Sequence, residues 1–158
     1  MRLIWFSGVL AAALLAGLAV WLWPLDPGVV ALQLTFTPRA FGEIIHRWPA
    51  EHLARYRSHL PWDGLLLASY GLFGWAVVRR GTLFAGHGRW KRALATWTMP
   101  LAALCDAIED GLHAWLTEVP RFGLPEVYAL SGGMALCKWL LLIAFGLQVL
   151  AAVWRKQA

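Results

Sequence analysis

An all-α integral membrane fold is what this sequence predicts: a four-helix bundle of spanning helices, with two short amphipathic helices between spans one and two. Three observations predict it. Of 158 residues, 59% are hydrophobic and 15% charged, and the mean hydropathy is +0.56, a composition suited to a chain whose surface meets lipid. Apolar stretches able to cross a hydrocarbon layer recur at about 3–23, 62–78, 93–117 and 129–154. Eight of the eleven tryptophans, Trp21, Trp23, Trp48, Trp62, Trp90, Trp97, Trp115 and Trp154, fall near the ends of those stretches. An amphipathic ring is at home there, at headgroup level. Trp139 is the exception, well inside a span.

The first span follows Arg2 and closes at Trp21, Trp23 and Pro24. It reads as a retained helix and not a signal peptide, because it exceeds the usual apolar core and lacks a clean small-residue cleavage site. Gly8, Ala12 and Ala16 give it a small-residue face for a neighbouring helix. In the next segment Thr37 and Pro38 signal an N-cap and first helical position. Phe41, Ile44, Ile45 and Trp48 then recur at helical spacing, predicting an amphipathic helix over 38–48. Pro49 stops it and opens a second over 50–60, with Leu53, Tyr56 and Leu60 apolar, ended by Pro61. Two such helices beside a bilayer are expected to lie in its interface or roof the bundle.

The second span runs from Trp62 to Val78, with Gly71 and Gly74 permitting close approach. Residues 79–92 hold Arg79, Arg80, Arg89, Lys91 and Arg92 and no acid, which by the positive-inside rule makes this loop cytoplasmic. The third span carries Pro100, expected to kink it. A turn over 118–126 contains Pro120, Arg121 and Pro125, and the fourth span ends in Arg155 and Lys156. Both termini then lie on the cytoplasmic side of an inner (plasma) membrane. The four arginines of 24–62 are the feature that fits this least. Among 14 basic residues, most mark span ends or loops, so no nucleic-acid partner is expected. Cys105 and Cys137 lie in apolar spans and read as small buried hydrophobes.

One span does not read as simple lipid-facing helix. Asp106, Glu109, Asp110 and His113 stand at i, i+3, i+4 and i+7, one stripe of the third span. Each charge costs roughly 2.5 to 3.5 kcal/mol at a membrane helix centre, so the stripe must face protein or a wet cavity. Lys138 is the other intramembrane charge. Counted from the outer end at about 1.5 Å per residue, it lies roughly 13 Å down, with Glu109 near 12 Å and Asp106 near 16 Å. His113 is expected above them, Asp63 at the rim, and Tyr70 level with them on the second span. This predicts an outward-opening polar pocket roofed by the amphipathic pair.

Two readings compete for these charges. Lys138 could pair with Asp106 or Glu109 only to hold the helices in register. Alternatively the surplus acid marks a site, since one lysine cannot neutralise three carboxyls, and either a proton or another cation must enter. The second reading is favoured. A metal is not expected: Glu43-x-x-His46 and Asp110-x-x-His113 mimic one element of di-iron bundles, but one lies in an interfacial helix and the other inside the bilayer. His46, His52, His59 and His87 are expected to face interface or water. There is no G-x-S-x-G elbow, P-loop or H-E-x-x-H, and the Asp/Gly/Arg signature of CDP-alcohol phosphotransferases is missing.

Three stretches carry a resemblance: Trp-Asp-Gly-Leu-Leu-Leu-Ala-Ser-Tyr at 62–70, Cys-Asp-Ala-Ile-Glu-Asp-Gly-Leu at 105–112 and Cys-Lys-Trp-Leu-Leu at 137–141. Over residues 30 to 145 the chain resembles a group of small bacterial four-span membrane proteins of unknown function. In that group an Asp and a Tyr seven residues apart precede an Asp-x-x-Glu-Asn element and a late Lys-Trp. The resemblance implies that Asp63, Tyr70, Asp106, Glu109 and Lys138 are a shared polar set, with Asp110 standing where Asn is usual. It supports the architecture and names no activity.

The function expected is binding, or transformation, of a small polar or lipid-headgroup ligand. Asp106, Glu109 and His113 are the candidate acid–base groups, and Asp63, Tyr70, Asp110 and Lys138 the binding groups. The alternative is an accessory subunit whose charges only lock helices, partnered by another membrane protein or a further copy. A proton or cation conduit is a third reading, weakened because the acids do not continue into the cytoplasmic half. No particular cofactor is indicated.

Overall fold

The computed structural model describes residues 1–119 and 121–157; Pro120, in the turn expected over 118–126, lies outside them. Among the described residues there are six helices and no strand: α1 (Arg2–Leu22), α2 (Val29–Gln33), α3 (Pro38–Arg47), α4 (Ala50–Arg80), α5 (Arg89–Leu116) and α6 (Pro125–Gln157). The third of these begins as its sequence dictates: Thr37 Oγ1 accepts from the Ala40 amide at 3.2 Å, and Pro38 takes the first helical position. It ends because Trp48, preceding Pro49, is held extended (φ −79, ψ 127).

The break expected at Pro61 is absent. Helix α4 runs unbroken through it, so the second amphipathic segment is the first half of a 31-residue helix. Proline forfeits one hydrogen bond and crowds the carbonyl of residue 57, yet both flanks are held by packing. Arg55 Nη1 donates to the Trp21 carbonyl at 3.1 Å while Trp21 Nε1 donates to the Arg55 carbonyl at 3.3 Å. Tyr56, His59 and Leu66 are buried on either side of the proline. Pro100 is likewise carried inside α5, flanked by Thr96 and Thr98, whose hydroxyls bond the carbonyls one turn back.

Helix α4 is central to the arrangement, packing on α1 and α5, and α5 in turn packs on α6. Helix α6 and α1 make no comparable contact, so the row α1–α4–α5–α6 does not close into a ring. Close approach along it depends on glycine. A Cβ on Gly71 would stand 3.1 Å from that of Ala103, and one on Gly74 would collide with Cβ and Cγ of Met99. Gly8 of α1 meets the Phe73 ring of α4, whereas Ala12, on the same small-residue face, remains exposed. With Trp21 against Arg55 at the far end, α1 and α4 are antiparallel.

Helices α2 and α3 pack against each other and against α6, and Phe41 and Trp48 of the α3 segment also cover His113 of α5 and Tyr56 of α4. Leu25, Leu32, Phe41, Trp48, Tyr56, Leu116 and Tyr128 form their core. Trp48 is 5% exposed and its Nε1 donates to the Pro27 carbonyl at 2.9 Å. It is therefore a core residue and not the interfacial tryptophan its position suggested.

Two helices, α1 and α6, are long and apolar enough to cross a membrane, where four such spans were expected. Only 11% and 17% of their most apolar windows are buried, so neither is the core helix of a water-soluble bundle. Helix α5 fails the same measure because of its charges, but it disposes them unusually. Leu94, Trp97, Leu101, Leu104, Ile108 and Trp115 are exposed along one face, while Thr96, Thr98, Asp106, Glu109 and His113 are buried on the other. A helix in water would show the reverse.

Candidate functional site: a buried acid cluster at the base of a cleft

Helical spacing alone puts Asp106, Glu109, Asp110 and His113 on one side of α5, and packing turns that side inward. Lys138 of α6 reaches between two of them, its Nζ 2.6 Å from Asp106 Oδ1 and 2.7 Å from Glu109 Oε2. All three are buried, at 3%, 5% and 0% exposure. A lone buried ion is expensive, and pairing with additional hydrogen bonds is what makes such burial tolerable. Asp106 has that support, because Tyr70 of α4 donates to its Oδ2 at 2.9 Å. The Lys138–Glu109 contact is an ion pair with no aligned hydrogen bond, and both Glu109 oxygens lack any other hydrogen-bond partner.

Two further carboxyls gather on the same spot. Asp63, on α4 two turns before Tyr70, and Asp110 each bring an oxygen to within 4.8 Å of Asp106's and of each other's. The Oδ2 of Asp110 has no partner. Four carboxyls thus surround one lysine. Even with His59 and His113 counted as cations the acids remain in excess, four against three, and close like charges in a dry site repel strongly.

Behind Lys138 lies a second polar chain. His113 Nδ1 is 2.6 Å from Tyr56 Oη and 3.9 Å from Glu109 Oε1, and His59 Nδ1 contacts the Tyr56 carbonyl. Phe41 and Trp48 stack on its rings, with centroids 5.3 Å from His113 and 5.2 Å from Tyr56. Helix α3 therefore seals this end of the site. His59 is 3% exposed, which corrects its expected place in the interface. Tyr56 shares its position in the core, fully enclosed at 1% exposure. Their burial was hidden in the sequence because Tyr56 reads as one apolar residue among several on an amphipathic helix.

Asp63 and Asp106 line a cavity of about 730 Å³ lying between α1, α4 and α6, within the size range of small-molecule sites. Its polar lining is His59, Asp63, Tyr70, Asp106, Lys138 and Gln33 of α2. The rest is apolar, supplied along α1 from Gly8 to Leu22 and by Leu66, Phe73, Met99, Trp139 and Leu142. Segment 23–33 borders it, as does His59 of α4, so α2 and its approach share the covering of the site with the expected amphipathic pair.

The structure thus brings Asp63, Tyr70, Asp106, Glu109, Asp110 and Lys138 together. Of the expected acid–base trio only Asp106 borders the cavity; Glu109 and His113 are sealed behind Lys138. Asp110 likewise reaches the cluster without lining the cavity. Glu43 is paired with Arg39 at 3.0 Å on exposed α3, away from the other acids. Asp63, Asp106 and Asp110 have the donor chemistry to hold a cation, though Asp106 already serves Lys138 and Tyr70. The free thiols of Cys105 and Cys137 sit within reach of each other between α5 and α6. No protein-family model matches this chain, and no curated protein or solved structure does either.

Proposed function

We propose that this chain is a four-span membrane protein that takes an amphiphile sideways from the bilayer. Its polar head meets Asp63, Tyr70 and Asp106, and its tail lies along α1. The observation that carries this reading is the unclosed gap between α1 and α6, which leads across an apolar wall to buried charges. The exposed leucine and tryptophan stripe of α5 supports a lipid setting for a helix too charged to be recognised as a span by composition. Lys156 Nζ lies 3.2 Å from Thr82 Oγ1, which brings the end of α6 to the arginine-rich α4–α5 connection. With α1 antiparallel to α4, both termini share that end, the cytoplasmic one by the positive-inside rule.

Arginines at the opposite end weigh little against this, because most are occupied. Arg55 lies over Trp21 at 4.6 Å and Arg121 over Trp115 at 4.3 Å. Arg57 donates to the Ala114 carbonyl and to Thr117 Oγ1, and Arg39 pairs with Glu43. The test is the lipid that accompanies the purified protein. Ala12→Trp places a ring in the cavity from an exposed position on α1, so the fold should survive. Mass spectrometry of lipid retained through detergent washing should show an amphiphile on the wild type that the variant loses. Identical retention by both would overturn the proposal.

A further inference from the structure

The carboxyls gathered at this cavity outnumber its cations, and that imbalance of charge describes the head that fits. Asp63 borders the same space, beside Asp106 and Asp110. The charge of Lys138 is already shared between Asp106 and Glu109, so it does not offset Asp63 and Asp110. The Nδ1 of His59 is turned to the Tyr56 carbonyl, and the Tyr70 hydroxyl is given to Asp106.

A phosphate or sulfate head would bring more negative charge to four carboxyls. A hydroxyl would bring a donor yet leave the charge imbalance untouched. An ammonium answers that imbalance, with a positive charge and three donors. The tail is specified by α1: the lining from Gly8 to Leu22 extends over roughly 21 Å of helix, unbroken by any polar residue among those that face the cavity.

We infer that the ligand is a long-chain amphiphile with a primary ammonium head, bound by Asp63 beside Asp106 with its chain against α1. This rests on the proposed lipid-facing pocket and adds the chemistry of the head. The full-length protein in detergent is equilibrated with equal amounts of hexadecylamine, hexadecanol and hexadecyl sulfate, and the adducts are ranked by native mass spectrometry. The amine should exceed the alcohol by about tenfold, which corresponds to about 1.4 kcal/mol, with the sulfate weakest. Asp63→Asn should erode the amine's lead without reducing the alcohol adduct.

Equal amine and alcohol, or a preference for sulfate, would overturn the ammonium head while leaving the pocket in place. Absence of all three adducts would remove the pocket and this inference with it. Manganese bound with no amphiphile present, together with no amine preference, would assign the acids to a metal and overturn the inference. The wild-type ranking requires no variant to fold, and a full amine lead in a folded Asp63→Asn protein would also refute it.

Discussion

Replacing Lys138 by methionine removes one ammonium and leaves two enclosed carboxyls facing each other's charge. The volume is nearly kept, so the loss is electrostatic. Breaking a buried pair by removing one partner costs about 3–5 kcal/mol, and here the lysine is 3% exposed and serves two acids at 2.6 and 2.7 Å. The acids are not equally dependent on it. Asp106 keeps the Tyr70 hydroxyl at 2.9 Å, whereas Glu109, at 0% exposure, is left with His113 at 3.9 Å. In the Lys138→Met background Glu109→Gln should therefore recover more stability than Asp106→Asn. The difference is on the order of 1 kcal/mol, the worth of the hydrogen bond that only Asp106 retains. The triple variant Lys138→Met, Asp106→Asn, Glu109→Gln should return close to the parent, as neutral replacements of buried ion groups often do. The assay is reversible unfolding in mixed micelles with increasing sodium dodecyl sulfate, followed by tryptophan fluorescence. A single Lys138→Met penalty below about 1 kcal/mol, or better rescue by Asp106→Asn, would refute the reasoning.

Tyr56→Phe deletes the hydroxyl that meets His113 at 2.6 Å, and the same unfolding assay should show a loss of about 1–3 kcal/mol for the stranded ring nitrogen. Gly74→Leu drives a side chain into Met99; the α4–α5 seam should open at a cost of about 1–3 kcal/mol or more, read as lost yield and a lower midpoint. For sidedness, Gly28→Cys and Gly86→Cys are compared in a background with Cys105 and Cys137 changed to alanine. A membrane-impermeant maleimide applied to spheroplasts should label the first and spare the second, and the opposite pattern would invert the topology.

Much of the site could be read in the chain because it rests on arithmetic. Four residues at i, i+3, i+4 and i+7 must share a helix face, and counting 1.5 Å per residue brought Lys138 level with Glu109 and Asp106. Asp63 and Tyr70 followed from the same seven-residue spacing. What escaped depends on context. Proline is a local stop signal, but Pro61 lies in a helix whose two halves are each pinned, by Trp21 and Arg55 before it and by the acid cluster after it. Once that continuity was missed, Tyr56 and His59 looked interfacial, because nothing local says that α3 folds over them. Helix α2, at five residues, is too short to show a period, so Gln33 could not be placed.

The way α1 is attached has a consequence for timing. It leans on a single neighbour, clasped at one end by glycine on a phenylalanine ring and at the other by a reciprocal tryptophan–arginine pair. Widening the entrance means displacing a whole helix against that clasp, not flipping one side chain. On the proposed function, exchange of a guest with the surrounding lipid would belong to the microsecond-to-millisecond range of collective helix movements, far slower than the nanosecond rattling of exposed rotamers. The doorway, more than the charged floor, would then set how long a guest stays.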